Sequence, residues 1–553
     1  MRCSSSFSKY DPDRSAKLKY LIGADDYFQD IEDLIKHEQV NMLLVTGWFL
    51  RSSTCLGRKT FGSYVVEAAA KRDIPVYILW NEFEAPALGG GTKKTIDYVN
   101  EIVDYAGGKN FTKKEKDRFK QNFKVIVSSQ RRFDWPDLPL YVDILLWYFD
   151  VLENLQIEDI QDGTHRLTLG SHHQKTLISI GAQLIAYCGG MDFNLGVAGW
   201  RKTSKRSYGR RDWHDVALRV TGLAGIGILE NFVERWNSEL ENLNETDLVN
   251  VTADDVLEID QYIESVREWE KWRAPRNKSY IKAIRTVPLD GFDVPFFGDT
   301  RLTEIREAYL DAIESAREFI YIENQYFRHL EIAEAIVDAA ERGVKIKIIV
   351  PTQTEELGKE IEDMKRRLKT KYVAKKDIPP HRINPLIKLF LYGRYRALKP
   401  IEEAGGEIFA PKAGLPYIHA KMMIVDGEHL VVGSANINGR SMDGRADSEI
   451  NFVVKDKKFV MKLWKRFSSR SYASSLKLRP YNVDDDDKLS TFPATEQEWS
   501  KYWDFHRNRF EKLAGKSLPT WKKIKEQIGK DGIETFMSLD LREILWEAFY
   551  HLL

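Results

Sequence analysis

Two short stretches of the chain place a histidine and a lysine one residue apart. The first pair is His173 and Lys175, and the second is His419 and Lys421. Residues two apart in a β-strand point to the same side of a sheet, so each pair presents its side chains together. Lysines can neutralise the non-bridging oxygens of a phosphate group, and histidines can act on it as nucleophile, acid or base. The two pairs therefore predict cleavage of a phosphodiester.

This chemistry would be divided between the two histidines. One imidazole can attack phosphorus to form a phosphohistidine, and the other can protonate the leaving oxygen and later activate water or an alcohol. The residues alone do not rank the two histidines. The lysines supply the charge that a metal would otherwise supply, so we expect no metal and no other cofactor. Each imidazole also needs an acceptor for its second ring nitrogen, and Asp215 and Glu449, each at the head of an apolar strand, are the candidates.

The segments around the two pairs repeat, which predicts a duplicated unit. A buried strand with a polar and aromatic end occurs at 41–52 and again at 319–329. A helix followed by an alternating strand comes next in both copies, at 64–80 and 335–351. This order is a β-α-β unit and favours a parallel sheet flanked by helices, which is the α/β class.

A polar turn of similar sequence follows each pair. It reads CGGMDFN at 188–194 and VGSANIN at 432–438. Its side chains could reach a bound phosphate, or they could serve the backbone of a buried hairpin. The candidates for substrate contacts in these turns are Asp192, Asn194, Ser434, Asn436 and Asn438.

The 553 residues exceed the length at which a single hydrophobic core stops growing, so more than one lobe is expected. We predict a lobe with the first pair at 1–250 and a charged linker at 251–299. A second lobe with the second pair follows at 300–473, and a mainly helical extension occupies 474–553.

The composition limits the classes of partner. Lys+Arg and Asp+Glu are equal at 83 each, and this neutral balance argues against a nucleic-acid-binding protein. The three cysteines form no disulfide or zinc-binding pattern. The sequence shows no apolar signal segment and no run of 18 apolar residues. We therefore expect a cytoplasmic or peripheral membrane location, with export without a Sec signal, as an effector, as the alternative.

The motifs resemble those of a known family. The second copy reaches Asp426 and so matches His-x-Lys-(x)4-Asp, which occurs twice in the phospholipase D superfamily, whereas the first copy has Ile180 in place of the aspartate. The sequence at 433–450 that follows the second copy matches as well. The stretches IYIENQYF at 320–327 and WHDVALRVTG at 213–222 resemble the phosphatidylcholine-type members more than the small nucleases or the cardiolipin synthases.

The resemblance covers about residues 40–473 and implies two similar α-β-α-β-α sandwich lobes. It implies a phospholipase D that hydrolyses the head-group phosphodiester of glycerophospholipids to phosphatidic acid through a phosphohistidine, with water or a small alcohol as acceptor. It assigns His173 as nucleophile and His419 as general acid. Trp48 matches a position near the site, although a core aromatic is the alternative. Glu323 and Gln325 are unusual polar residues at the end of a strand, so we expect supporting roles for both, and Gln325 is also a candidate for a substrate contact. The implied partner is a phospholipid membrane surface, and the basic loop at 201–211 could meet anionic lipid or simply be solvated.

Two other functions stay open at this point. Another phosphodiesterase or a nuclease of the same superfamily would use the same residues. A catalytically inactive lipid-binding protein is supported by Ile180, which replaces the motif aspartate. Alternation along the strand, however, places Asp426 on the face opposite His419 and Lys421. We therefore predict that this aspartate caps its own hairpin, and that Ile180 occupies the same turn without the cap.

Overall fold

The structure of the chain is a computed structural model. Asn194 and the basic loop at 201–211 lie outside the residues that it describes. The structure describes residues 16–37, 39–48, 54–56, 59–81, 95–128, 133–134, 156–159, 165–168, 171–193, 213–241, 247–258, 280–288, 302–352, 383, 385–412, 416–444, 447–514, 520–523 and 526.

The strands and helices alternate along much of both lobes. The strands are β1 (Lys17–Ile22), β2 (Val40–Gly47), β3 (Cys55–Leu56), β4 (Lys59–Thr60), β5 (Val76–Asn81), β6 (Phe123–Ser128), β7 (Phe133–Asp134), β8 (Gln156–Asp159), β9 (His165–Thr168), β10 (Thr176–Gly181), β11 (Leu184–Gly189), β12 (Trp213–His214), β13 (Val216–Thr221), β14 (Asp247–Val249), β15 (Tyr280–Val287), β16 (Leu302–Thr303), β17 (Phe319–Asn324), β18 (Lys345–Ile349), β19 (Glu407–Pro411), β20 (Tyr417–Ile418), β21 (Lys421–Val425), β22 (His429–Gly433), β23 (Glu449–Lys455) and β24 (Leu478–Pro480). The helices are α1 (Gly23–His37), α2 (Phe61–Val66, continued by a π-helical turn at Glu67–Lys71), α3 (Thr95–Gly107), α4 (Lys113–Asn122), α5 (Ile226–Glu241, preceded by a 3₁₀ turn at Leu223–Gly225), α6 (Glu304–Ser315), α7 (Leu330–Glu341), α8 (Pro385–Glu403), α9 (Gly439–Met442), α10 (Lys457–Phe467), α11 (Arg470–Ser475), α12 (Asp484–Ser490) and α13 (Glu496–Ala514).

Eight strands follow the same order in the two main sheets of the described chain, and β16 is a ninth strand at the edge of the second sheet. This shared order confirms the duplicated α/β fold. In the described part of the chain the first sheet runs β1-β13-β11-β10-β2-β5-β6-β14. The second runs β16-β15-β23-β22-β21-β17-β18-β19-β24. The predicted β-α-β units form the parallel pairs β2 with β5 and β17 with β18. The motif strand β10 pairs antiparallel with β2, and the motif strand β21 pairs antiparallel with β17.

The sheets pack against each other through a shared apolar core. Buried side chains from the first sheet, such as Ile178 and Leu218, join those from the second, such as Ile424 and Phe452, in one cluster. The outer face of each sheet is covered by its own helices and has a separate core. Because both faces of each sheet are covered, the strands are almost continuously apolar and show little alternation of polar and apolar residues.

The structure changes the predicted boundaries of the second lobe. Within the range 251–299, which we expected to be a linker, β15 pairs antiparallel with β23 and takes the place that β1 has in the first sheet. In the predicted extension, β24 pairs with β19 at the other end of the sheet, and α12 and α13 follow. The second sheet therefore extends beyond the predicted lobe at both of its ends.

Asp426 and Ile180 do not occupy equivalent turns, so one sequence prediction is wrong. Asp426 lies in the turn after β21, at the end of this strand opposite Lys421. Its carboxylate accepts hydrogen bonds from the backbone N–H groups of Arg317, Glu318 and Phe319, each at 2.8 Å. It therefore holds the start of β17 rather than its own hairpin. Ile180 continues strand β10, pairs with Leu184 and is 4% exposed in the shared core. The longer ladder of the first hairpin moves this position from the turn into the apolar interior.

Among the described helices, none combines the length and apolar character needed to span a bilayer.

Candidate active site

The two His-x-Lys pairs lie at the same place in the two sheets. Lys175 directly precedes β10, and Lys421 is the first residue of β21. Because these strands run antiparallel to β2 and β17, both motifs lie at the edge where the parallel strands end. In α/β folds this edge is the usual position of ligand sites.

Backbone contacts cross between the lobes at both motifs. Strand β12 runs parallel to β20, and the His419 N–H donates to the carbonyl of His214 at 2.8 Å. A second parallel bridge joins His172 to Ser448, and the His173 N–H donates to the Ser448 carbonyl at 3.1 Å. Each motif is therefore fixed to the segment that precedes the predicted carboxylate of the other lobe.

The histidine side chains are paired across the lobes in the same way. His173 Nδ1 lies 2.8 Å from Glu449 Oε1, and His419 Nδ1 lies 2.6 Å from Asp215 Oδ2. Asp215 and Glu449 are fully buried. A carboxylate can only accept, so each Nδ1 carries the hydrogen, and Nε2 of a neutral ring keeps its lone pair. Both rings are thus held in the tautomer that suits a nucleophile or a general base.

Close backbone approach allows this arrangement around Asp215. A Cβ atom at Gly190 would lie 2.4 Å from Asp215 Oδ1. Any side chain at that position would displace the carboxylate that holds His419. Gly190, the second glycine of CGGMDFN, therefore leaves the space that the Asp215 carboxylate occupies.

Each lysine donates to the carbonyl of its own motif histidine, and the two differ in their other partners. Lys175 Nζ donates to the His173 carbonyl at 2.7 Å and lies 3.5 Å from Asp192 Oδ2. Lys421 Nζ donates to the His419 carbonyl at 2.5 Å and to Gln325 Oε1 at 2.8 Å. Asp192 also accepts from the N–H of Trp48 at 2.9 Å. Because a carboxylate would repel a phosphate, Asp192 fits the positioning of Lys175 and Trp48 better than the substrate contact that we predicted.

Burial shifts the pKa values of the ionisable groups at the second motif. It raises the pKa of Asp215 to about 6, although Lys421 acts in the opposite direction. It lowers the pKa of the Lys421 ammonium to about 7. Burial and the cationic Lys421 and Lys175 hold the pKa of His419 well below its ordinary value. In this environment His419 is therefore neutral at pH 7, and a bound anion would favour its protonation.

Aromatic rings lie against both imidazoles. The Trp48 ring meets His173 edge to face with 5.5 Å between centroids, and Lys175 Nζ lies 5.6 Å from the Trp48 centroid. This places Trp48 beside the first motif, as the resemblance implied. Trp213 stacks on His419 at 4.5 Å with 28° between the planes.

The predicted polar contacts of the second turn divide into two groups. Ser434 donates its hydroxyl to Glu449 and accepts from Ile450 N–H, so it supports the carboxylate partner of His173. Asn438 caps α9 by accepting from the Ser441 N–H. Both thus serve the protein's own structure.

Asn436 differs from these neighbours. It is 5% exposed, and its side-chain oxygen has no hydrogen-bond partner in the described structure. It stays a candidate for a substrate contact.

Three residues that contact His419 or Glu449 were not predicted from the sequence. Trp213 and His214 directly precede Asp215, and this adjacency was the available signal. Ser441 donates to Glu449 Oε1 at 2.7 Å, so Glu449 accepts from two hydroxyls as well as from His173. Across the described residues, no three His, Cys, Asp or Glu side chains are grouped so as to hold a metal ion.

Comparisons with known proteins agree with these motifs. The family model "Phospholipase D" matches residues 197–363, and "Cardiolipin synthase, PLD-like domain" matches 309–471. Phospholipase D alpha 1 of Cynara cardunculus is 31% identical over 303 residues, which cover 44% of this chain and 36% of that protein. Phospholipase D A of Dictyostelium discoideum is 24% identical over 508 residues, which cover 79% of this chain and 33% of that protein.

The chain thus spans about a third of the length of these curated relatives. A similar fold is present in the crystal structure of a phosphatidylserine synthase from Haemophilus influenzae Rd KW20, with a TM-score of 0.52 and 12% identity. That match covers 90% of this chain and 93% of the other. The family models, the curated relatives and the paired motifs together establish that the chain belongs to the phospholipase D superfamily.

Proposed function

We propose that the chain is a phospholipase D that hydrolyses the head-group phosphodiester of glycerophospholipids to phosphatidic acid, with water or a small alcohol as acceptor. The observation that carries this proposal is the crossed pairing of His173 with Glu449 and of His419 with Asp215. Two imidazoles held in the same tautomer beside two lysines can perform the two steps of such a reaction. The names of the curated relatives favour phospholipids over nucleic acid as substrate.

In the first step His173 Nε2 attacks phosphorus and forms the P–N bond. The P–O bond to the head group breaks, and protonated His419 gives its Nε2 proton to the leaving oxygen. Lys175 and Lys421 neutralise the charge on the non-bridging oxygens. The phosphodiester anion offsets the nearby cations that depress the His419 pKa, so substrate binding favours the acid form of this residue.

In the second step neutral His419 takes a proton from water or an alcohol, whose oxygen then attacks phosphorus. The P–N bond to His173 breaks, and phosphatidic acid or a new phosphodiester leaves. Glu449 stabilises the His173 ring throughout through its bond to Nδ1. His419 thus acts as the acid in the first step and as the base in the second. His173 is the nucleophile in the first step and the leaving group in the second.

The substrate of such an enzyme lies in a bilayer. We therefore propose that the protein acts peripherally at a phospholipid surface, in the cytoplasm or, as the alternative, after export without a Sec signal. The head group and the acyl chains that it prefers would follow from the assay below.

The decisive test is head-group release from phosphatidylcholine and phosphatidylethanolamine vesicles, with products identified by mass spectrometry. We expect release by the wild type in the presence of EDTA, and at least about 10³-fold slower release after His173→Asn or His419→Asn. His429→Asn, a half-buried histidine outside the site, is the matched control and should release at the wild-type rate.

Three outcomes would contradict the proposal. Equal release by the wild type and both variants would remove the two histidines from the chemistry. Cleavage of single-stranded DNA at low salt without head-group release would favour the nuclease function. Vesicle binding with no product and no phosphohistidine on either residue would favour an inactive lipid-binding protein.

A further inference from the structure

Residues 213–215 of the first lobe hold His419 at three points. The Trp213 ring stacks on the imidazole, with 4.5 Å between the centroids. The His214 carbonyl accepts from the N–H of His419 at 2.8 Å and from that of Ala420 at 3.1 Å. Asp215 accepts from Nδ1 at 2.6 Å. The orientation of His419 therefore depends on how firmly this segment is fixed to the second lobe.

The side chain of His214 provides that attachment. It is 6% exposed, and its Nε2 lies 2.7 Å from Glu323 Oε2 and 2.8 Å from the Tyr472 hydroxyl. Glu323 belongs to β17 and Tyr472 to α11, so both partners come from the second lobe. A histidine of one lobe is thus buried in a polar cluster of the other, directly behind the His419 backbone.

Glu323 is the centre of this cluster. It is fully buried and accepts hydrogen bonds from the Tyr472 hydroxyl at 2.7 Å and from the Tyr321 hydroxyl, in addition to its contact with His214. An isolated carboxylate would not stay ionised in this interior. Burial disfavours the charge, but His214 and the two phenols outweigh it, so the pKa of Glu323 lies below its ordinary value. The cluster is stable only while its members remain together.

The first motif is held by different contacts. The residue that corresponds to His214 is Ser448, whose hydroxyl lies 3.1 Å from His172 Nδ1. Ser448 has no carboxylate partner in the described structure, and the neighbouring Asp447 instead accepts from the N–H and the hydroxyl of Ser171, each at 2.9 Å. His173 itself is held by Glu449. The two histidines of the site therefore differ in what lies behind them, although their first contacts are alike.

We propose that Glu323 is a positioning residue for His419. By anchoring the His214 side chain, it fixes residues 213–215 and with them the stacking ring, the backbone acceptor and the carboxylate that orient His419. Loss of the anchor acts on His419 and leaves His173 in place. The effect on turnover rests on the proposed function, whereas the effect on the imidazole does not.

The structural test uses the ring N–H resonances of the full-length protein labelled with ¹⁵N-histidine. The Nδ1–H groups of His173 and His419 are bonded to carboxylates and should appear at low field. His173→Asn and His419→Asn assign them by loss of one signal each. In Glu323→Gln, which keeps the shape of the side chain, we expect the His419 signal to shift or to broaden through exchange with water. The His173 signal should be unchanged.

Two further variants keep the test decisive if Glu323→Gln folds poorly. Tyr472→Phe removes one donor to Glu323 and should move the His419 signal in the same direction by a smaller amount. Ser448→Ala is the matched control at the equivalent position, and it should leave the His419 signal unchanged. An unmoved His419 signal in both Glu323→Gln and Tyr472→Phe, or equal shifts of both histidine signals, would overturn the proposal.

Turnover provides the second readout. If head-group release is observed, Glu323→Gln should lower kcat by about 10- to 100-fold, because a small displacement of a catalytic group costs about this much. KM should stay within about twofold, since Glu323 does not touch the substrate. A rise in KM with unchanged kcat would contradict the positioning role. If no release is observed for the wild type, the proposed function fails, while the resonances still decide the role of Glu323.

Discussion

Restoring the motif aspartate in the first copy should damage the fold rather than repair the enzyme. Ile180 is 4% exposed, pairs with Leu184 and Met42 in neighbouring strands, and belongs to the core shared by the two sheets. The corresponding Asp426 meets three backbone N–H groups instead. The change Ile180→Asp therefore places a carboxyl group where the surroundings are apolar.

The magnitude follows from two costs. Removing a buried isoleucine side chain forfeits about 1.5–3 kcal/mol of apolar burial. A carboxyl group left without partners, even when protonated, costs about 1–3 kcal/mol more. We expect the free energy of unfolding to fall by roughly 3–5 kcal/mol. For a lobe of this size the melting temperature should drop by on the order of 10 °C.

The assay is thermal and urea unfolding of the wild type, Ile180→Asp, Ile180→Asn and Ile180→Val between pH 4.5 and 7.5. The valine variant should lose about 1 kcal/mol. Burial raises the pKa of the introduced carboxyl above its unfolded value, so the protonated form is favoured in the folded state. The deficit of the aspartate variant relative to the asparagine variant should therefore grow as the pH rises from about 4 towards that raised pKa.

Two results would refute this reasoning. A melting temperature equal to or above that of the wild type would mean that the aspartate finds backbone partners, as Asp426 does. A large gain in turnover per folded molecule would mean that the position acts in the chemistry.

Three other predictions concern residues at or behind the motifs. Asp426→Ala should lower the free energy of unfolding by about 2 kcal/mol through the loss of three backbone contacts, with specific activity at low temperature unchanged; urea unfolding and vesicle assays check both. His172 is buried beside Arg235, and burial and this cation hold its pKa well below the ordinary value. The neutral ring therefore contributes fully to the free energy of unfolding above about pH 6.5, and this contribution falls at lower pH by at most about 1.4 kcal/mol per pH unit. His172→Asn should therefore flatten the fall in melting temperature between pH 7 and 5, and an unchanged slope would contradict this account. Asp215→Asn should lower kcat by about 10³–10⁴-fold while the fold persists, because an amide can donate to Nδ1 and so favour the wrong tautomer of His419; a loss below tenfold would mean that the pairing does not set the tautomer.

The sequence by itself identified the two motifs and the class of fold. A histidine and a lysine two residues apart must lie near each other in the fold, although the two pairs precede or begin strands β10 and β21 rather than lie within them. The apolar strands with an intervening helix specify parallel β-α-β units, and both units are present. Each of these conclusions depends on residues that are close together in the chain.

Only the tertiary structure decided which groups meet. The pairing of His173 with Glu449 and of His419 with Asp215 joins positions far apart in sequence, and either candidate could have served either histidine. The contacts of Ser434 and Asn438 with their own lobe, and the burial of His214 against Glu323, likewise depend on how the elements pack. The sequence predicted the turn at Ile180 wrongly because the hairpin register, and with it the place where the strand ends, is set by pairing with β2 and β11. Local patterns specify periodicity, whereas burial and partners arise only when the two sheets close on each other.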